Sequence, residues 1–417
     1  MRQMKDSGIE WIGEIPQTWD VLKTKFCFRY KKEIAGINSD KFDRLALTMQ
    51  NVVKRAKDDS NGLQPEKFET YQILRRNELV FKLIDLQNVS TSRVGLSLYD
   101  GIVSPAYIIL TPQSNISSKY AEKYYYTLWK NQIFNALGDD GVRSNLGKDD
   151  LLNIPIPVPP LAEQERIAGF LDAKCAEVDA LAREIKEEIA TLEEYKRSVI
   201  TEAVTKGLDA SVPMKNSGIE WIGEIPQAWD LRKGKYVLQY LQKPVRIDDE
   251  VITCFRDGQV TLRGNRREDG FTMADKEIGY QGIDEGDLVV HGMDGFAGAI
   301  GISDCGGKAS PVLNVLDTRQ NKRYVMFYLR SLAYRDVFLA LSTGIRVRSC
   351  DLRWNKLAEL FYLIPPLAEQ EQIVAKIDEM LAKVDALIAE KQNQLATLEE
   401  YKKSVIFEYV TGKKEVV

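Results

Sequence analysis

Residues 4–20 read MKDSGIEWIGEIPQTWD, and residues 214–230 read MKNSGIEWIGEIPQAWD. Fifteen of these 17 positions agree, at an offset of 210. Two more stretches return at an offset of 206. Pro159-Pro160-Leu161-Ala162-Glu163-Gln164-Glu165 recurs unchanged from Pro365 to Glu371, and ATLEEYKRSVI at 190–200 recurs as ATLEEYKKSVI at 396–406. Repetition at a fixed period decides the architecture before any local reading does. Two copies at a period near 206 do not make a solenoid; they make two similar half-molecules, the second insert four residues shorter.

Each half runs through a Trp-containing lead-in, a mixed stretch, Pro-Pro and a long charged segment. In the mixed stretches Leu79–Ile84, Tyr107–Leu110, Asp287–Val290 and Ala299–Ile302 read as strands. Tyr126, Trp129, Ile133 and Leu137 fall at helical spacing after Lys119, and a counterpart from Lys322 ends in Val337, Phe338 and Leu341. Gly141-Val142-Arg143 and Gly344-Ile345-Arg346 follow these helices. Both inserts are therefore α+β.

The segment after Pro160 has no proline, and Leu171, Val178, Ile185, Leu192 and Val199 recur every seven residues, joined by Leu181, Ile189 and Tyr195. Ile377, Val384, Leu398 and Val405 repeat the pattern, with Leu387, Leu395 and Tyr401 beside them and Lys391 as the one break. A 3.5-residue period sustained over five heptads predicts a coiled-coil seam. A helix of that length spans roughly 66 Å at 1.5 Å per residue, more than a domain of this size is wide. The expected fold is α+β: two similar globular domains, at 1–157 and 209–363, separated by two long antiparallel coiled-coil helices, at 158–208 and 364–417, in pseudo-twofold arrangement. An amphipathic helix lying on its own domain is the alternative.

A length of 417 residues suits two or three domains at about 150 residues each. No run reaches the roughly 18 apolar residues of a membrane span, and the first residues have no apolar core of a signal peptide. The five cysteines are scattered with no C-x-x-C pair, which argues against a disulfide framework and a zinc site. A cytoplasmic chain without a membrane partner follows as the expectation. The net charge of −4 is an average over unlike parts: residues 161–204 carry −5, residues 367–410 carry −4, and the remainder carries +5. Only the globular parts are suited to phosphate.

Ile9-Glu10-Trp11-Ile12-Gly13-Glu14-Ile15-Pro16 with its second copy, the Pro-Pro-Leu-Ala-Glu-Gln-Glu openings of both helices, and the Gly-x-Arg before them resemble the specificity subunit of type I restriction–modification enzymes. The resemblance covers the whole chain. It implies a non-catalytic protein whose two target-recognition domains each read one half of an interrupted site in double-stranded DNA. It further implies that the helices fix the gap and dock two methyltransferase subunits, and restriction subunits through them. No cofactor is then expected in this chain; S-adenosylmethionine, and ATP with Mg for restriction, belong to the partners. A scaffold with two protein-binding heads is the rival reading.

Catalytic signals are weak. Val158-Pro159-Pro160-Leu161 and Ile364-Pro365-Pro366-Leu367 lack the polar residue before Pro-Pro-aromatic that would grip a flipped adenine. Gly292, Gly295, Gly298 and Gly301 lead into a strand rather than a helix N-terminus, so hairpin turns explain them better than a phosphate loop. His291, the one histidine, has no partner histidine for a metal and no nucleophile motif, so it is expected as a satisfied domain histidine. Basic clusters are more informative: Lys23 to Lys32, Lys54-Arg55-Ala56-Lys57, Arg75-Arg76, Arg232 to Lys235, and Arg353. Arginine beside Gly or Asn in a turn suits bidentate contact with guanine or phosphate. The DNA-contact candidates are Arg143, Lys148, Arg263, Asn265, Arg266, Arg267, Arg346 and Arg348. Leu171, Val178, Ile185, Leu192, Val199, Ile377, Val384, Leu398 and Val405 are the candidates for the helix seam and partner docking.

Overall fold

The computed structural model describes residues 2–49, 51–59, 67–87, 91–138, 145–266, 277–340 and 352–416. The chain divides into two compact units, Met1–Ile185 with Asn393–Val417, and Lys186–Gln392. The long helices run Leu161–Lys206 and Leu367–Val410, so each unit holds part of both.

In the first unit the lead-in folds as a hairpin, Met4–Asp6 against Glu14–Pro16, and Asp20–Lys23 pairs with Pro155–Val158. A two-stranded ribbon tolerates Pro155 and Pro157 because an edge strand can spare an N–H. An antiparallel sheet orders Phe28–Lys31, Ile108–Pro112, Leu79–Phe81 and Val94–Leu96. A second sheet orders Val52–Arg55, Arg44–Leu47, Gly101–Val103 and Gln72–Leu74. The second unit repeats the lead-in hairpin (Met214–Asn216, Glu224–Pro226), the ribbon (Asp230–Lys233, Phe361–Ile364) and the first sheet (Leu238–Tyr240, Leu313–Thr318, Leu288–His291, Ile300–Ile302). Its remaining strands form two antiparallel pairs, the hairpin Ile252–Cys254 with Val260–Leu262, and Gln281–Ile283 with Gly307–Ala309.

The helices at helical spacing are shorter than their pattern. Ser118–Lys130 stops before Ile133–Leu137, and Lys322–Tyr334 stops before Val337–Ala340. Gln132 and Asp336 sit at φ of 57° and 55° at these breaks, a left-handed turn that hydrophobic spacing does not encode. Leu341 lies outside the described residues.

Why the repeated motifs are invariant between copies is visible in the contacts. In the first unit the buried Trp19 indole donates to Glu163 Oε2 at 3.2 Å, where the first long helix starts. Gln164 is fully buried; it accepts the Ser117 N–H at 2.8 Å and donates to the carbonyls of Asn115 and Pro159. In the second unit Trp229 donates to Glu369 Oε1 at 3.0 Å, and Gln370 accepts the Asn321 N–H and donates to Pro365. The tyrosine hydroxyls close the frame. Tyr120 lies 2.9 Å from the carbonyls of both Pro157 and Val410, and Tyr324 lies 3.1 Å from Leu363 and 3.3 Å from Val204. Each unit therefore holds the start of one long helix and the end of the other.

Numbers fall on one helix as they rise on the other. Phe170 meets Tyr409 and Asp179 pairs with Lys402 in the first unit; Glu188 pairs with Lys391 and Lys196 with Asp385 in the second. The helices are antiparallel within each unit. Leu171, Val178, Ile377, Val384 and Val405 are buried, while Ile185, Leu192, Val199 and Leu398 are half-buried. One part of the seam differs from the heptad reading. Leu181, Tyr195, Leu387 and Tyr401 are 49, 45, 47 and 45% exposed. The positions that turn inward are one residue later, Ala182, Lys196, Ile388 and Lys402, of which Lys196 and Lys402 reach across to carboxylates. A seam spaced four then three residues selects by angle, so it takes alanine and lysine stems ahead of nearby leucine and tyrosine.

Gln164→Ala or Gln370→Ala strands a buried N–H and two carbonyls, and should cost about 1–3 kcal/mol by thermal unfolding. The exposed Gln372→Ala should leave the melting temperature unchanged; an equal loss in both would contradict the buried hub.

Candidate nucleic-acid interface

The basic clusters fall on the strands and turns of both units, and most of their charges are already matched. Lys31 pairs with Glu33 and Glu78, Lys54 with Asp43, Arg55 with Asp59 and Arg75 with Glu33. Arg232 pairs with Asp230, and Lys233 and Lys235 share Glu359, whose carboxyl is held below its ordinary range first by the Lys233 hydrogen bond and then by that of Lys235. Exposed pairs of this kind contribute little to stability and are open to exchange for phosphate.

Of the eight DNA-contact candidates, Lys148, Arg263, Asn265 and Arg266 lie among the described residues; Arg143, Arg267, Arg346 and Arg348 lie outside them. Lys148 opens the short helix Lys148–Asn153, half-exposed, its Nζ 5.4 Å from the Tyr30 ring centre. It belongs to the first unit and the other three to the second. Those three occupy one turn, Arg263–Asn265 and the residue after it, directly behind the hairpin Ile252–Cys254/Val260–Leu262. Asn265 Nδ2 donates to Thr261 Oγ1 at 2.9 Å, Arg263 Nε reaches Thr253 Oγ1 at 3.5 Å, and Arg266 Nη1 donates to Asp257 Oδ2 at 2.5 Å. Arg266 also lies over the Phe255 ring at 4.5 Å. The side chains are fixed in place rather than free in solvent.

Arg256, which sequence reasoning passed over, stands on the same hairpin, 59% exposed, donating to Asp294 Oδ1 at 2.8 Å. The Asp257-Gly258 pair between two apolar runs is a hairpin signal that could have found it. His291 is a structural residue: its Nδ1 accepts the backbone N–H of Met293 at 3.2 Å and of Asp294 at 3.0 Å. Burial lowers its pKa below the ordinary 6.5, against the pull of Asp294. The Gly-rich run forms turns, with Gly298 at φ 94°. Cys27 and Cys254 are buried, Cys175 and Cys305 partly so, and all four are free; Cys350 is outside the described residues. Among the described residues no group of three His, Cys, Asp or Glu is placed to hold a metal, and no helix is long and apolar enough to cross a membrane. The Pro-Pro pairs are helix openings: the Pro160 carbonyl accepts from Glu163 and Gln164, and that of Pro366 from Glu369 and Gln370.

Two α+β units of one design, each built around paired halves of long antiparallel helices and carrying charged turns, define a duplicated α+β protein. Residues 20–191 match the type I restriction modification DNA specificity domain. A Methanocaldococcus jannaschii protein named as the MjaX specificity subunit of a type I restriction enzyme is 26% identical over 53% of this chain and 52% of its own length. The match thus spans about half of that relative. The StySPI specificity subunit of Salmonella potsdam is 22% identical over 96% of this chain and 90% of its own. A chain solved in work on complex assembly and conformational transition of the type I R-M system has the same fold, with a TM-score of 0.68 at 14% identity, over 96% of this chain and 99% of that one. Along 96% of its length the chain is thus similar to specificity subunits of type I restriction–modification systems, and residues 20–191 match the family model.

His291 gives a pH test of the site's packing. A histidine whose folded pKa is depressed contributes stability above about 6.5, which is lost as pH falls and the unfolded chain takes up the proton first. Chemical unfolding of the second unit should weaken between about pH 7 and 5, and His291→Asn should flatten that part of the profile. An unchanged slope in the variant would contradict a buried neutral imidazole.

Proposed function

We propose that this chain is the non-catalytic subunit that reads DNA sequence for a type I restriction–modification complex. Each unit, with recognition domains at 1–157 and 209–363, reads one half of a bipartite, asymmetric site in double-stranded DNA. The helices at 158–208 and 364–417 fix the spacing and dock two methyltransferase subunits, and restriction subunits through them. S-adenosylmethionine, and ATP with Mg for restriction, belong to those partners, and the complex works in the cytoplasm.

The observation that carries this reading is the contrast between frame and insert. The Trp–Glu contact, the buried Gln and the bridging Tyr are the same in both units. The surfaces they support differ in sequence, in sheet pairing and in charged turns. Equivalent frames with unlike surfaces suit two readers of two different half-sites. Docking is supported by the helix flanks. The register brings Leu181 alongside Tyr401 in the first unit and Tyr195 alongside Leu387 in the second, all exposed and set among an excess of carboxylates. Two copies of one apolar patch with an acidic surround suit two copies of one partner with a basic rim.

Methyl transfer should appear only when a methyltransferase subunit is added. The methylated positions, mapped across a host genome, should define a two-part motif with unequal halves and unspecified pairs between them. A continuous or palindromic motif, or DNA binding without a salt slope, would overturn the reading; the latter favours a protein-binding scaffold. Leu181→Glu with Leu387→Glu should abolish assembly while leaving the melting temperature within about 0.5 kcal/mol-equivalent of the parent, as surface changes do. Leu192→Asp with Leu398→Asp puts charge on two half-buried seam positions and should instead loosen the helix pair, read as a lower melting temperature than the parent.

A further inference from the structure

Two arginines meet at the tip of the second unit's hairpin, Arg256 from the tip itself and Arg266 reaching it from the turn that follows, and each is held by its own carboxylate. Phe255 to Gln259 make the turn: the Gly258 N–H donates to the Phe255 carbonyl, the Phe255 N–H to the Gln259 carbonyl, and Gly258 takes φ 91°. Arg256 and Asp257 are the two residues at its apex. Arg256 reaches Asp294, and Arg266 reaches Asp257 while lying on Phe255. Arg330 fastens the apex from behind, donating to the Asp257 carbonyl at 2.9 Å.

The glycine run that read as turns now has a use. A Cβ on Gly298 would lie 2.8 Å from the Arg256 carbonyl, and one on Gly301 would lie 1.9 Å from that of Gly258. These glycines let the Gly292–Gly301 segment press against the hairpin backbone. The same segment presents Asp294, whose own N–H is anchored on His291 Nδ1. Apex, carboxylates and support are thereby a single preformed unit.

We infer that Arg256 and Arg266 are base-reading side chains of the second recognition domain, and that the half-site they read contains G·C pairs. The inference rests on the DNA-recognition reading above. Charge decides between base and phosphate. Arg330 leaves the tip one net positive charge but is occupied on the Asp257 carbonyl, whereas Arg256 and Arg266 each stand beside a carboxylate, Asp294 and Asp257, that repels a phosphate brought to either of them. The exchange that favours it is directional. A guanidinium has five N–H groups in a fixed fork, and a carboxylate that takes one of them orients the others. That fork matches guanine O6 and N7, and a carboxylate beside it accepts from the paired cytosine N4. The aromatic face under Arg266 fixes its plane further.

The test uses the full chain assembled with its methyltransferase, on duplexes carrying the site that the parent complex methylates and on single-base-pair variants of that site. Arg256→Ala should lose discrimination at one G·C pair of one half-site by roughly ten- to a hundredfold, with the other half-site unaffected. The dependence of binding on salt should stay as steep as in the parent. Arg256→Lys, which keeps the charge and loses the fork, should fail to restore discrimination; Asp294→Asn should relax the same position. Assembly and melting temperature of each variant verify that the fold is intact. A uniform loss across sequences with a salt slope shallower by about one, rescued by lysine, would make Arg256 a phosphate contact and overturn the inference. Unchanged selection in Arg256→Ala and Arg266→Ala would overturn it as well. Absence of salt-dependent binding by the parent complex is a separate result, and it strikes the recognition reading itself.

Discussion

The indole of Trp19 in the first unit, and that of Trp229 in the second, is the seat on which each unit's helices rest. Its N–H is given to the glutamate that opens one long helix, Glu163 or Glu369. Its ring edge lies against the glycine that ends the other: a Cβ on Gly412 would come within 3.0 Å of Trp19, and one on Gly207 within 3.3 Å of Trp229. Both glycines are left-handed, at φ 71° and 79°, the conformation that ends a helix without a side-chain penalty. One side chain thus fixes where one helix begins and where its antiparallel partner stops. Within each unit this contact sets the local register of the two helices. The insert beside the seat is then free to vary without disturbing the frame.

This division of labour explains how charge is distributed. The long helices carry the acidic excess, and three of their lysines reach carboxylates of the facing helix, Lys196 to Asp385, Lys391 to Glu188 and Lys402 to Asp179. An acidic helix surface repels phosphate, so on the proposed function DNA falls to the inserts. Within the inserts, many of the described basic residues are already paired, which weakens a general positive field. On the reading proposed above, selectivity would come from arginines held at fixed angles on turns, as at the Phe255–Gln259 hairpin.

Much of the frame was legible because the chain states it twice. The long helices, their antiparallel pairing and the α+β inserts follow from the repeat and the seven-residue period. The seam's second set of positions was not legible: hydrophobicity favours Leu181 and Tyr195, whereas the angular spacing turns the half-buried Ala182 and Lys196 inward. Nor were the roles of Glu163 and Gln164, which read as helix-opening residues and act as hydrogen-bond hubs to segments over 40 residues away. Side-chain partners so distant in sequence leave no local pattern. At the candidate interface, the turn at Arg263–Arg266 was found from Arg beside Gly and Asn. Arg256 was missed, because its importance comes from Asp294, brought to it by the packing of the glycine run.

The most direct measurement follows from a frame that is the same in both units. A chain can be built with the second insert, residues 231–363, in place of residues 21–157, so that both seats carry one surface. Assembled with the methyltransferase and mapped by genome-wide methylation, it should modify a target whose two halves are the same sequence, that of the parent's second half-site. A folded, assembled chain that still methylates a target with two different halves would contradict the account.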